Sequence, residues 1–72
     1  MKNQFKKGQH YKFEGLKIDD GTTPSKGAVI EVYPKSKKVY YLMVSGTEPK
    51  SGIREFTKDS EMAQRNFHFV NH

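Results

Sequence analysis

The alternation of apolar and polar positions is sharpest over residues 28–45, AVIEVYPKSKKVYYLMVS. Ala28, Ile30 and Val32 fall on one side of an extended chain, and Val29, Glu31 and Tyr33 on the other. After Pro34-Lys35-Ser36-Lys37, the residues Val39, Tyr41 and Met43 alternate with Tyr40, Leu42 and Val44. A period of two marks a β-strand, because successive side chains leave opposite faces of the backbone. The pattern predicts two strands, 28–33 and 38–44, joined by a tight turn whose entry φ is set by Pro34. The second strand is apolar on both faces, which places it centrally in a sheet or in a barrel wall. Ala28, Ile30, Val32, Val39, Tyr41 and Met43 are the expected interior.

Shorter patterns flank this hairpin. Tyr11 and Phe13 alternate with His10, Lys12 and Glu14, a half-buried first strand. Gly15 marks a bulge or bend, and Leu16 and Ile18 extend the strand or fold back on it. Residues 19–27, DDGTTPSKG, are dense in turn formers. Nine residues exceed what a hairpin needs, so this connection wraps an edge or serves as a binding loop. Residues 46–52, GTEPKSG, form a second loop, and 53–57 a short strand. Residues 57–64 predict one or two helical turns, with Thr57 as N-cap and with Asp59 and Glu61 where the helix dipole favours acids. Asn66 is the expected left-handed exit. In the closing segment Phe67 and Phe69 share one face. The chain shows no internal repeat and no low-complexity tract.

Five strands, a long first loop, a tight central hairpin and a helical turn before the last strand make an order that resembles the SH3-like small barrel. The expected fold class is therefore all-β: a small five-stranded SH3-like barrel with a short helical turn before the last strand. The alternative is an OB-type barrel, but that fold places its helix between the third and fourth strands. Residues 1–9 are expected as a flexible basic arm with Lys2, Lys6 and Lys7, pinned to the body by Phe5. Residues 10–72 are expected as one domain. Polyproline-binding members of the SH3-like class use an acidic long loop and a tryptophan. This chain has no tryptophan, and Asp19 and Asp20 are the only acids in its long loop. Its lysine-rich hairpin is more similar to the nucleic-acid-associated barrels of ribosomal proteins, transcription factors and small archaeal chromatin proteins.

Size and charge sharpen the functional expectation. A chain of 72 residues buries only about 60% of the surface its unfolded form exposes, so the core is thin. Without cysteine it has neither disulfides nor thiolate zinc sites to reinforce it. No apolar run approaches the roughly 20 residues of a membrane helix. The basic start MKNQFKKGQHYKF lacks the apolar stretch of a signal peptide. A cytoplasmic protein without a membrane partner is expected. Thirteen Lys and Arg face eight Asp and Glu, for a formal charge of +5. Most of these cations are lysines, which suit diffuse attraction to polyanions better than bidentate reading of bases.

Catalysis has little support. Ser25, Ser36, Ser45, Ser51 and Ser60 lie in or beside turns, without the base and orienting group that a nucleophile needs. His10 and His68 become neighbours if the first and last strands pair, and two imidazoles can bind a metal, but two exposed strand histidines explain them far better. His72 ends the sequence given. Asp19-Asp20 sits beside a glycine, as a turn would require, without calcium-loop spacing. No enzyme activity, metal or cofactor is expected. The expected site is Lys35, Lys37 and Lys38 for phosphates with Tyr33 and Tyr40 for base stacking, extended by Lys6, Lys7, Lys12, Arg54 or Arg65. The plain alternative is that the tyrosines pack across strands and the lysines protect a sheet edge. A different class of function is a small protein-interaction module or inhibitor. It would act through an apolar patch of Val29, Tyr33, Tyr40 and Leu42, as a monomer or an edge-paired homodimer, on a larger host protein. Compact, cysteine-free, lysine-rich chains of this kind resemble phage or mobile-element accessory proteins in composition. The leading expectation is a non-catalytic basic protein that binds nucleic acid.

Overall fold

The computed structural model describes residues 3–15, 24–45 and 53–70. Leu16, Ile18, Asp19, Asp20, His72, the loop 46–52 and the first part of the loop 19–27 lie outside the described residues. The elements are β1 (His10–Phe13), β2 (Val29–Lys35), β3 (Lys38–Ser45), β4 (Arg54–Thr57), α1 (Glu61–Asn66) and β5 (Phe67–Val70). They form one five-stranded antiparallel sheet in the order β4-β3-β2-β1-β5. β4 and β5 are its two edges, so among the described residues the sheet is not closed by backbone pairing. No helix among the described residues is long and apolar enough to cross a membrane.

The central hairpin pairs Tyr33 with Tyr40, Pro34 with Val39 and Lys35 with Lys38. Only Ser36 and Lys37 remain for the turn, and Ser36 takes φ +57°. Two-residue hairpin turns demand such a left-handed first residue, because it matches the twist of the strands. Pro34 therefore sits inside the strand rather than at the turn entry. Val32, two residues earlier, exchanges its backbone bonds with Gln9 and Gly8. Pro34 shares that orientation, so its missing N–H removes nothing from the β2–β3 ladder. A register shift between Val29 and Ile30 leaves Val44 as the extra residue of a bulge on β3.

The inward faces meet in an aromatic core. Phe5, Tyr11, Phe13, Ile30, Val32, Val39, Tyr41, Phe56, Ala63 and Phe67 are buried, with Met43 packed against them. Ala28 is buried as well. All six side chains expected inside the hairpin thus face the core. Phe67 and Phe69 share a face by parity, but Phe67 is fully buried while Phe69 is 51% exposed. Phe5 takes the place beside Tyr11, with ring centroids 4.8 Å apart, and Phe69 meets Tyr11 from the flank at 5.7 Å.

Residues ahead of β1 are tied to the opposite end of the chain. The Asn3 amide donates to the carbonyls of Ala63 and Phe67, at 3.0 and 2.7 Å, and the Asn3 backbone N–H donates to the Gln64 side chain. These bonds satisfy carbonyls that the end of α1 leaves open. The cap at the other end of α1 is Ser60, whose hydroxyl accepts from the Ala63 N–H at 3.1 Å. Thr57, the expected cap, is instead held in β4 opposite Lys38. Asn66 needs no left-handed exit, because the chain passes directly from α1 into β5 with Phe67 already extended. Gly15 lies at a bend where a β-carbon would stand 2.6 Å from the Asn66 side chain.

Two stability outcomes follow from this packing. Phe5→Ala empties the centre of a thin core and should cost about 3–5 kcal/mol in urea unfolding, enough to leave the domain largely unfolded at ambient temperature. Ser36→Gly relieves a left-handed serine and should raise the unfolding free energy, read from urea unfolding, by up to about 1 kcal/mol, whereas Ser36→Val should lower it.

Candidate functional site

The outward side chains of β2 and β3 alternate with the buried ones. Tyr33 and Tyr40 form a directly opposed pair on this face, two residue pairs back from Lys35 and Lys38. A groove of about 480 Å³ opens here, lined by Lys7, Tyr33, Pro34, Lys35, Tyr40 and Ile53. Its floor is ring and aliphatic carbon, and its cations are Lys7 and Lys35.

Two lining residues arrive from distant sequence. Lys7 lies in a turn in which the Gln9 N–H donates to the Lys6 carbonyl, and Gly8 takes φ +81°. A positive φ at the third position marks a type II turn and suits glycine. The Gly8 N–H donates to the Val32 carbonyl at 2.8 Å, which docks the turn against β2 and carries Lys7 to the groove. Ile53 comes from the approach to β4 and is 63% exposed. Neither contact has a periodic signal. Lys7 was readable only as one cation among several, and Ile53 only as the start of a strand.

The expected site residues do not all converge. Tyr33, Lys35 and Tyr40 line the groove. Lys37 projects from the turn, and its carbonyl accepts from the Lys58 N–H at 3.0 Å. Lys38 is paired with Glu55 at 3.1 Å, which partly cancels its charge. Among the expected extensions, Lys12 pairs with Glu14 and Arg65 with Glu61. Arg54 stands opposite Tyr41 and shares the inward parity of Phe56, so it faces away from the groove. No acid among the described residues forms an ion pair with Lys7, Lys35 or Lys37.

A second polar group adjoins Tyr33. The Tyr33 hydroxyl donates to the Glu31 carboxylate, whose other oxygen lies 3.3 Å from His10 Nε2. His10 is directly opposite Glu31 in the β1–β2 ladder. The Tyr33 bond, with help from His10, holds the Glu31 carboxyl below the ordinary carboxylate range. The same bond raises the Tyr33 phenol above its ordinary value, aided by partial desolvation and the carboxylate's charge. His68 stands opposite Lys12, and His10 opposite Val70, so the two histidines are offset rather than facing. Among the described residues no cluster of three or more His, Cys, Asp or Glu could hold a metal ion.

Comparison with protein-family models, with curated proteins and with solved structures finds no match. The functional reading therefore rests on the residues themselves.

The Glu31–Tyr33 bond is directly testable. In an ultraviolet titration, Glu31→Gln should move one tyrosine ionisation down toward the ordinary value near 10, because the carboxylate that opposes the phenolate is gone. In the native chain the bond should stabilise the fold above the ordinary carboxylate range. That contribution should disappear as pH falls through the lowered Glu31 value. On the alkaline side it should be lost as pH rises through the raised Tyr33 value.

Proposed function

We propose that this protein is a non-catalytic, basic binding protein that takes nucleic acid at the groove beside the β2–β3 turn. The observation that carries the reading is the union of Tyr33 and Tyr40 with Lys7 and Lys35 in one groove. Rings supply stacking surfaces and ammonium groups supply phosphate contacts. Rings, aliphatic carbon and lysines are a poor set for nucleophilic or acid–base chemistry. The pairing of Lys35 with Lys38 adds support. Directly opposed like charges work against a hairpin, and since Glu55 offsets only Lys38, an anionic partner at Lys35 would relieve the remainder.

We also read the architecture as an SH3-like barrel. The strand order β4-β3-β2-β1-β5 and the position of α1 between β4 and β5 support it. An OB-type arrangement would want the helix one connection earlier.

A second reading has its own observation. Leu42 and Val44 on β3 are 37% and 52% exposed, Ile53 just ahead of β4 is 63% exposed, and Ile53 lines the same groove. A protein partner could cover them. Binding of a protein would survive nuclease and moderate salt.

Titrating nucleic-acid binding with salt separates the two. Log K should fall linearly with log salt, with a slope of about −0.7 to −0.9 for each phosphate engaged. Lys35→Glu combined with Lys37→Glu should abolish binding, whereas Lys38→Gln should have a smaller effect, since Glu55 already occupies that ammonium. Absence of binding at low salt, alongside recovery of one nuclease-resistant protein partner in a pull-down, would transfer the groove to the second reading.

A further inference from the structure

We propose that the groove is selective for single-stranded nucleic acid and seats one or two unpaired bases on Tyr33 and Tyr40. The inference rests on the nucleic-acid reading of the groove and goes beyond it by naming the form of the ligand.

The first argument is the state of the rings. Phe5, Tyr11, Phe13, Tyr41, Phe56, Phe67 and Phe69 all pack ring against ring. Tyr33 and Tyr40 are the two phenylalanine or tyrosine side chains that enter none of these contacts among the described residues. They stand opposite one another on the outward face, beside the carbon surfaces of Pro34 and Ile53. Tyr33 is also held at its hydroxyl by Glu31, so little freedom remains to be lost when a base docks.

The second argument is where the charges lie. Lys35 and Lys37 are on the tip side of the ring pair, and Lys7 is docked at its rim. Glu31 is on the same face, two residues further from the tip. Phosphates are drawn toward the tip and repelled from the Glu31 side, while the rings stay open to bases. A duplex keeps its base faces stacked against one another, so it offers phosphates, sugars and base edges but no face for a ring to stack on. Three lysines with no acid partner among the described residues make few such contacts, and every one weakens with salt. A single strand adds base–ring stacking, which is worth roughly five- to 150-fold in affinity for each base.

The test uses the whole chain with two labelled probes, an oligothymidylate and a mixed-sequence duplex of equal length, read by fluorescence anisotropy at low and moderate salt. The single strand should bind at least about tenfold more tightly. The chain has no tryptophan, so its intrinsic emission is from tyrosine and should be quenched by the unlabelled single strand but not by the duplex. Tyr33→Leu and Tyr40→Leu, with folding checked by circular dichroism, should each weaken single-strand binding by about fivefold or more and leave duplex binding unchanged. Should a Leu variant fail to fold, the quenching measured on the native chain decides the point. Equal or tighter binding of the duplex would overturn the single-strand inference and leave the nucleic-acid reading standing. So would folded Leu variants with native affinity, or a single strand that binds without quenching. If neither probe binds at low salt, the reading and the inference fall together.

Discussion

Phe56 and Phe67 stack with their centroids 4.8 Å apart and their planes within 22°. The first belongs to β4 and the second to β5, the two edges of the sheet. Among the described residues no backbone ladder joins those edges, so this stack is what draws them together. Phe5 braces it edge-on, 5.2 Å from Phe56 and 6.3 Å from Phe67. A chain of this size has few side chains with which to close a core, and aromatic rings bury the most area for each residue spent. These three rings pack with Tyr11, Phe13, Ile30, Val32, Val39, Tyr41 and Ala63 in the one core cluster.

That core decides what is left for a partner. With Ile30, Val32, Val39 and Tyr41 turned inward, Tyr33, Tyr40, Leu42 and the hairpin lysines must face outward, because the pleat permits nothing else. The segment before β1 serves both sides. Phe5 enters the core, while the following turn is docked on β2 through Gly8 and delivers Lys7 to the groove. Packing and site are therefore coupled through one short stretch. Loss of Phe5 from the core would displace a cation from the rim as well.

Charge on the outward face is partly spent on the protein itself. Lys38 leans on Glu55, Lys12 on Glu14, and Glu31 ties Tyr33 to the His10 side of the sheet. Exposed pairs of this kind contribute little to stability. Their larger effect is to sort the lysines into those with an acid at hand and those that, among the described residues, have no ion-pair partner. The formal charge of +5 is thus less informative than its distribution, which among the described residues places Lys7 and Lys35, without ion-pair partners, beside the two rings that make no ring contact.

Strand existence and the buried set of the hairpin were legible in the sequence because period-two alternation is local. Ala28, Ile30 and Val32 share one face of their strand and Val39 and Tyr41 one face of theirs by parity alone, and the hairpin register then brings the two sets together. The lysine–tyrosine composition of the tip was legible for the same reason. Where the cap of α1 falls was not: Thr57 and Ser60 are equally good capping residues, and β3 decided between them by holding Thr57 in its ladder. Pro34 gave a turn signal that the register overruled, since its nitrogen points away from β3. Phe67 and Phe69 share a face by parity, yet one is buried and the other half exposed, with Phe5 from the far end of the chain packed beside Tyr11. By itself the sequence determined the strands, the inward face and the basic hairpin. The tertiary structure alone decided which lysines keep an acid partner, which rings remain unstacked, and that Lys7 and Ile53 meet Tyr33 and Tyr40, because those facts depend on contacts between residues far apart in the chain.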